Sequence, residues 1–236
     1  MTLGVLYLIP APLGESDLEQ TLPHGVVRTV HELQLFIVEN AKTARRLLKW
    51  MRHPSPMQAL HMITLNEHSA PSEVAAAVQP LLDGQDAGLM SEAGCPAVAD
   101  PGANLVRAAH TAGIRVIPLV GPSSILLALM ASGLDGQRFA FHGYLPAERT
   151  LRARRLVDLE RDSRAKRETQ IFIETPYRNE ALLHTLLQTC NARTLLCVAS
   201  DISTAGESIR TQTILRWRAA LPTLEKRPAI FLLLAT

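Results

Sequence analysis

The sequence predicts an α/β protein, and three features indicate this class. Short apolar runs of strand length alternate with longer segments of helical periodicity along the chain. Hydrophobic residues make up 47% of the 236 residues and charged residues 19%, which supplies enough apolar material for a buried sheet. The pattern restarts near residue 120, so we expect two α/β domains, one over residues 1–119 and one over residues 120–236.

The first domain is predicted to contain buried strands separated by helices. Each strand is a continuous apolar run, as in parallel sheets that are covered on both faces. The clearest helix covers residues 103–112, where Leu105, Val106 and Ala109 share one face and Gly113 can end the helix. The strands are expected at residues 5–9, 35–38, 62–65, 87–90 and 114–119.

The second domain repeats the alternation of strands and helices. It is predicted to begin with an apolar helix at residues 125–131, which Gly133 ends. An arginine-rich helix and a leucine-rich helix follow, and we expect the arginine-rich one to present a solvated face. Strands are expected at residues 139–144, 170–173, 195–199 and 230–234.

Charge and cysteine content restrict the partners and the compartment. The formal net charge of +2 excludes a basic coat over the whole surface, so any basic patch must be local. The three cysteines form no CxxC pair, which favours a reducing compartment, and we expect the cytoplasm. The chain start lacks the pattern of a signal peptide, and prolines and a glycine interrupt the long apolar segment 117–134, so we expect no membrane association.

Several common catalytic motifs are absent from the sequence. It has no GxGxxG after the first strand, no GxxxxGK(S/T), no HExxH and no GxSxG. Nucleotide hydrolysis, Rossmann dinucleotide binding and common hydrolase chemistry therefore lose their usual support. The eight histidines are scattered without ligand spacing, so we expect no metal site.

Three loops at strand ends carry the strongest signals for ligand binding. Residues 91–102 combine glycines, prolines and alanines, so a ligand can reach the main chain, and the loop exceeds the roughly 2 to 6 residues of a plain turn. Residues 121–124 place two serines at a helix start, where one of them is also expected to act as an N-cap. Residues 9–14 form a narrow proline-rich loop. Ligands of open α/β sheets bind beyond the carboxyl ends of strands, where all three loops lie.

Motifs at these loops and beyond them resemble a known family. Residues 91–102 match SDAGxPxxxDPG with Glu92 in place of Asp, and residues 120–124 match PGPSA with Val120 and Ser124 as differences. Further matches are AGIxVxPL at 112–119, SGL at 132–134, FxFxGFLP at 139–146 with Tyr144 in place of Phe, and ESPxR at 174–178 with Thr175 in place of Ser. On these motifs the chain resembles the tetrapyrrole methylase superfamily, the class III S-adenosylmethionine-dependent methyltransferases, and within it the small-subunit ribosomal RNA ribose 2′-O-methyltransferases.

The resemblance implies a fold, a cofactor and an assembly. It implies two α/β domains of the tetrapyrrole methylase type with the cofactor cleft between them, S-adenosyl-L-methionine as the cofactor, and a homodimer. A sulfonium zwitterion with adenine and ribose suits main-chain groups, hydroxyls and small side chains. By position, the residues implied to contact the cofactor are Pro10, Ser91, Glu92, Ala93, Val98, Pro122, Ser123, Ser124, Tyr144, Leu145 and Ala229.

Methyl transfer to a hydroxyl benefits from a general base, and two residues are the catalytic candidates. Glu39 ends an apolar strand and ranks first, although a salt bridge to Arg45 or Arg46 is an equally good interpretation of its position. His68 is the second candidate, with a structural loop histidine as its alternative.

Basic residues indicate where an RNA substrate would bind. Arg45 and Arg46 belong to a basic helix with an apolar side, and such a helix can receive phosphate. Arg178, in the ESPxR match, is a candidate contact to substrate or to a second subunit. The segment 39–48 departs from the family pattern EDTRxTRxLL at Asn40, Ala41 and Ala44.

The sequence therefore predicts a methyltransferase that acts on RNA, on a ribosomal ribose 2′-hydroxyl by resemblance. Two alternatives share its cofactor site. One is a methyltransferase of the same fold that acts on a small molecule, and the other is a catalytically inactive S-adenosylmethionine-binding protein.

Overall fold

Two five-stranded sheets organise the protein, as seen in a computed structural model that describes residues 2–224 and 226–235. The chain divides into two units, the first ending at Ser123 and the second starting at Ser124. Each unit combines a sheet with helices, so the predicted α/β class is confirmed. None of the described helices combines the length and apolarity needed to cross a membrane.

The first unit is built on a parallel sheet with the order β3-β2-β4-β1-β5. Leu35 and Ile37 of β2 pack into one core cluster, whereas Phe36 and Val38 pack into another, because successive side chains of a strand point to opposite faces. Helices cover both faces. In chain order the elements are β1 (Val5–Ile9), α1 (Leu18–Thr21), α2 (His24–Glu32), β2 (Leu35–Val38), α3 (Ala41–Trp50), β3 (His61–Thr64), α4 (Pro71–Leu82), β4 (Ala87–Met90), α5 (Ala103–Thr111) and β5 (Arg115–Pro118).

The outer strands of this sheet differ from the prediction in burial. All five predicted strands are present, but β3 and β5 were expected to be buried, and their first and last residues are exposed. The reason is their position at the two edges of the sheet, where only one side has a neighbouring strand. The central strands β2 and β4 are buried at every residue, as their continuous apolar runs predict.

The second unit is built on a mixed sheet with the order β6-β7-β10-β8-β9. Strands β6 and β7 are parallel, and the other neighbouring strands are antiparallel. Phe172 and Phe231, on adjacent strands, stack with ring centroids 6.0 Å apart. The elements are α6 (Ser124–Ser132), β6 (Phe139–Tyr144), α7 (Arg149–Lys166), β7 (Thr169–Glu174), α8 (Asn179–Thr189), β8 (Leu195–Ser200), β9 (Ser208–Thr213), α9 (Ile214–Ala219) and β10 (Ala229–Leu234).

The arginine-rich helix α7 has one arginine that is buried and does not face solvent. Arg152 is buried, with 4% of its surface exposed, although the run was expected to face solvent. Its guanidinium donates to the Thr185 hydroxyl from Nε at 3.1 Å and to the Ala147 carbonyl oxygen at 2.9 Å. These bonds satisfy donor groups of the buried guanidinium, and the bond to Thr185 joins α7 to α8.

Candidate functional site

The carboxyl ends of the five strands define one edge of the first sheet. Because the strands are parallel, the segments that follow β1, β2, β3, β4 and β5 all leave from this edge. Among the first residues beyond the strands are Pro10, Glu39, Ser91 and Leu119. The structure thus brings the three predicted binding loops and the predicted base Glu39 to the same edge.

Direct hydrogen bonds join the loop after β1 to the loop after β4. The Ala11 amide donates to the Gly94 carbonyl oxygen, and the Gly94 amide donates to the Ala11 carbonyl oxygen, each at 2.9 Å. Gly94 has a φ of 73°, a conformation that glycine adopts without strain. The Ser91 hydroxyl donates to the Ala93 carbonyl oxygen at 3.3 Å. Main-chain pairing therefore fixes the path of the predicted cofactor loop.

The loop after β4 also holds two alanines in the left-handed region. Ala97 has a φ of 65° and Ala99 a φ of 56°, which is uncommon for residues other than glycine. The Asp100 carboxylate accepts hydrogen bonds from the amides of Gly102, at 3.0 Å, and Ala97, at 3.4 Å. Such conformations concentrate at ligand sites, where the surrounding structure holds them in place.

The loop after β5 packs directly on the loop after β1. A Cβ atom at Gly121 would lie 2.2 Å from Cγ of Pro10, so only glycine allows this approach. The Cys95 thiol donates to the Pro122 carbonyl oxygen at 3.5 Å, which links the loops after β4 and β5. The three loops therefore form one continuous surface within the first unit.

Glu39, at this edge of the sheet, has a carboxylate whose pKa is raised. Its side chain is half-buried, and burial raises its pKa above the ordinary value of 4.5. The negative charges of Asp100, Glu92 and Glu67 raise the pKa further, in that order. Within residues 2–224 and 226–235, Glu39 forms no ion pair, so the predicted alternative of a salt bridge to Arg45 or Arg46 is wrong. A carboxylate with a raised pKa is a stronger proton acceptor, which suits a general base.

His68, the second candidate base, lies in solvent. Its side chain is 85% exposed, and its Nε2 atom is 3.6 Å from Oε1 of Glu67. The Asn66 side chain accepts a hydrogen bond from the His68 amide at 2.9 Å, so it is the main chain of His68, and not its ring, that holds this turn. Its exposure gives His68 less shielding from water than Glu39 has.

A cavity of about 530 Å³ lies beside the loops after β1 and β4. One helix, α3, contributes a wall through residues at the spacing of a single helical face: Thr43, Arg46, Leu47 and Trp50. The Thr43 hydroxyl donates to Oε1 of Glu92 at 3.0 Å, which joins this wall to the loop after β4, the predicted cofactor loop. The remaining lining residues are Ala11, Pro12, Leu13, Gly14, Glu15, Ser16, Glu92 and Ala93.

Of the two neighbouring arginines that were both predicted to bind substrate, only one lines the cavity. Arg46 lines the cavity, whereas Arg45 is exposed and is not among the lining residues. Thr43 and Trp50 were not predicted as site residues. The signal for them was present in the sequence, because positions 43, 46, 47 and 50 follow the spacing of one helix face.

The second unit holds the remaining predicted residues, and Tyr144 and Ala229 lie at the same end of its sheet. Ser124 begins α6, Tyr144 ends β6 and is exposed, and Leu145 is buried. Ala229 begins β10 and pairs with Glu174 of β7. The guanidinium of Arg178 donates to Oε1 of Glu174 from Nε at 3.0 Å, while Oε2 of the buried Glu174 has no hydrogen-bond partner among the residues that the structure describes. Some of the hydrogen-bond donors of Arg178 are therefore already bonded to a carboxylate of the same chain.

The second unit also has a cavity of its own, of about 380 Å³. Its lining includes Arg210, Arg227 and Ser208, and none of the predicted site residues. Arg227 donates from Nε to Oδ2 of Asp201 at 2.5 Å, so its charge is already paired. Among the described residues, no group of His, Cys, Asp and Glu side chains is arranged to hold a metal ion.

Comparisons with known proteins agree with this architecture. Residues 5–215 match the family model of tetrapyrrole (corrin/porphyrin) methylases. The chain is 34% identical to Ribosomal RNA small subunit methyltransferase I of Xylella fastidiosa, over 90% of this chain and 74% of the relative. It is 32% identical to the Pseudomonas aeruginosa protein of the same name, over 89% and 71%. The solved structure of the methyltransferase CobJ matches with a TM-score of 0.66 at 17% identity, over 99% of this chain and 95% of that chain.

Proposed function

The chain belongs to the tetrapyrrole methylase family, and from this premise we propose that it methylates small-subunit ribosomal RNA with S-adenosylmethionine as the methyl donor. The observation that supports this most is the convergence of three narrow loops and a carboxylate of raised pKa at one sheet edge. The relatives named for ribosomal RNA methylation extend over most of the chain. The acceptor we propose is a ribose 2′-hydroxyl.

The donor groups at this edge fit S-adenosylmethionine. The cofactor combines charged amino-acid groups with ribose and adenine, and the loops offer amides, carbonyl oxygens, hydroxyls and small side chains. Gly121 packs so closely on Pro10 that a side chain at residue 121 would have no space, which keeps the two loops close together. We propose that the first unit holds the cofactor through Pro10, Ser91, Glu92, Ala93, Val98, Pro122 and Ser123. The predicted contacts Ser124, Tyr144, Leu145 and Ala229 of the second unit stay predictions.

Glu39 is the proposed general base. When bound, S-adenosylmethionine supplies an activated methyl group, so the protein has to orient the acceptor and remove its proton. Glu39 would accept that proton on its carboxylate. Its half-buried position and three neighbouring acids raise its pKa, so its carboxylate holds a proton more tightly than an ordinary carboxylate does. Replacing Glu39 with Gln is expected to lower kcat about 10²- to 10⁴-fold with cofactor affinity retained.

Calorimetry tests the cofactor site. Titration with S-adenosylmethionine and S-adenosylhomocysteine is expected to release heat with the wild type and much less heat with Ala93→Trp. Ala93 is exposed, so the bulky ring would cover the loop surface without disturbing the core. Circular dichroism of the variant is the control for folding. Equal affinities in the two proteins would contradict this placement.

Mass spectrometry of nucleosides tests the RNA substrate. Small-subunit RNA from a strain that lacks the gene is expected to lose one ribose methyl group. The wild-type gene should restore it, whereas the Glu39→Gln gene should not. An unchanged nucleoside profile would refute RNA as the substrate and leave a small-molecule acceptor or an inactive cofactor-binding protein.

We also propose a homodimer in the cytoplasm. Exposed apolar residues on α6 support the dimer, since Leu126 is 50% exposed, Met130 is 79% exposed and the two are one helical turn apart. The three free thiols support a reducing compartment. Sedimentation analysis should give the mass of two chains, and Met130→Asp should lower it.

A further inference from the structure

The cavity beside α3 has a wall of mixed chemistry that the cofactor assignment does not use. Of the proposed cofactor contacts in the first unit, only Glu92 and Ala93 line it, whereas Pro10, Ser91 and Pro122 do not. The cavity therefore begins at the cofactor loop and continues along α3. Its volume of about 530 Å³ lies in the range of small-molecule sites, roughly 300 to 1,000 Å³.

Two residues of this wall are complementary to a nucleotide. Arg46 and Trp50 are four residues apart, so they are neighbours on the same face of α3. A guanidinium forms paired hydrogen bonds with phosphate oxygens, and an indole provides a flat surface for a base. In single-stranded RNA, phosphates and bases alternate along the chain, so a cation beside an aromatic ring matches one nucleotide.

The charge of Arg46 is available to a ligand. Arg46 is exposed and takes part in no ion pair within the part of the chain that the structure describes. Two acids, Glu15 and Glu92, also line the cavity, and Glu92 already accepts a hydrogen bond from Thr43 at 3.0 Å. That bond joins α3 to the loop after β4.

We propose that this cavity binds a nucleotide of the substrate RNA that is adjacent to the methylated one. Its base stacks on the indole of Trp50, and its phosphate binds the guanidinium of Arg46. This inference rests on the proposed function and adds to it a subsite for a neighbouring nucleotide. It also assigns different roles to the two arginines, because Arg45 lies outside the cavity.

Methyl-transfer kinetics on small ribosomal subunits and on protein-free small-subunit RNA provide the first test. Trp50→Ala is expected to raise KM for RNA about 10-fold, with a smaller change in kcat and an unchanged calorimetric affinity for S-adenosylmethionine. Trp50→Phe keeps an aromatic ring and should recover most of the affinity. Arg46→Gln should raise KM and reduce the slope of log KM against log salt by about 0.7, the contribution of one phosphate contact. Arg107→Gln removes an exposed charge from α5, outside the cavity, and is the matched control.

Direct binding provides a second test that does not depend on turnover. Fluorescence anisotropy of a labelled single-stranded RNA of mixed sequence is expected to show about 10-fold weaker binding to Trp50→Ala than to the wild type. Binding that depends on Trp50 without any methylation would support the subsite and refute the proposed function.

Two outcomes would overturn the inference. One is methylation of RNA by the wild type with no change in KM or RNA affinity for Trp50→Ala and Arg46→Gln, which leaves the proposed function intact. The other is a loss of S-adenosylmethionine affinity in Trp50→Ala at unchanged RNA affinity, because the cavity would then belong to the cofactor.

Discussion

Glu39, the proposed general base, carries a cost in stability. Because its pKa is raised in the folded chain, the folded state binds the proton more tightly than the unfolded state does. The free energy of unfolding therefore falls as pH rises from the ordinary value of 4.5 through the raised pKa. A carboxylate placed for stability alone would be paired with a cation, and Glu39 has no such partner among the described residues.

Replacing Glu39 with Gln should stabilise the protein at neutral pH. The variant lacks the penalty of a half-buried charge among three acids, so its advantage over the wild type should grow as pH rises through that window and should disappear well below pH 4.5. Urea unfolding across this pH range measures the difference. Glu32→Gln removes an exposed carboxylate from α2 and serves as the control. An advantage that is the same at every pH would show that charge is not its cause.

Gly121 is a second residue whose replacement has a defined expectation. In Gly121→Ala the new methyl group would lie 2.2 Å from Cγ and 2.4 Å from Cβ of Pro10, so the two loops must separate. We expect a loss of about 1 to 3 kcal/mol in stability and at least a tenfold loss of S-adenosylmethionine affinity. Thermal unfolding and calorimetry measure the two effects.

The control for this substitution is Gly25→Ala in the same unit. A Cβ at Gly25, in α2, meets no atom within 4 Å, and alanine favours helix by about 0.5 to 1 kcal/mol over glycine. If Gly121→Ala behaved like Gly25→Ala, the close packing of the loops would not be required for cofactor binding.

Part of the candidate site was visible in single residues of the sequence. The strand-end loops that contain Ser91 and Pro122 could be predicted because glycine and proline mark such loops, and the cofactor contacts of both residues stay predictions. The contacts between loops were not visible, because the pairing of Ala11 with Gly94 and the approach of Gly121 to Pro10 depend on the order of the strands. Sequence spacing alone does not determine that order.

At the scale of elements, α3 shows how a departure from the family pattern is tolerated. Asn40 stands where the pattern has an acid, and its Oδ1 atom accepts hydrogen bonds from the amides of Lys42, at 2.9 Å, and Thr43, at 3.3 Å. It is thus the N-cap of α3, a role that Asn and Asp fill equally well. The helix that carries Arg46 and Trp50 keeps its start despite the change.

Asn40→Ala and Asn40→Asp should separate the cap from the charge. The alanine variant loses the cap and should be less stable by about 0.5 to 2 kcal/mol in urea unfolding. The aspartate variant keeps the cap and places a further negative charge next to Glu39, so the pKa of Glu39 should rise and the acidic limb of the pH–rate profile should move to higher pH. An unmoved limb in Asn40→Asp would argue against Glu39 as the base.

Element prediction succeeded where burial produced a simple pattern. The strands β2, β4 and β10 are apolar runs in sheet interiors, and the sequence located all three. It missed β9 and α9, for a physical reason. β9 is an outer strand with the polar sequence SIRTQT, and α9 has only six residues, so neither shows a strong apolar period.

At the scale of the whole molecule, each unit has the parts of an independent domain. The first unit has a complete five-stranded sheet of its own, with core clusters on both faces of that sheet. The second unit has its own core around Phe172, Trp217 and Phe231. The sequence predicts a second α/β domain because the alternation of strands and helices restarts near residue 120.

A fragment of residues 1–123 is therefore expected to fold alone. It should show a circular dichroism spectrum of mixed helix and strand and a single cooperative urea transition, because its core clusters lie within those residues. The full chain is the reference for both measurements. A fragment without a cooperative transition would show that the first sheet depends on the second unit for its stability.

The hydrogen bond from Cys95 to Pro122 has a practical consequence for watching the protein at work. Cys190 and Cys197 are buried, and burial raises the pKa of the Cys190 thiol to about 12, so both resist alkylation. Burial raises the pKa of the Cys95 thiol as well, but Cys95 is the one partly exposed thiol of the three and so the one that a reagent can reach. A maleimide dye would therefore attach at the junction of two predicted binding loops, which gives the native chain a place for an optical reporter without any engineered mutation.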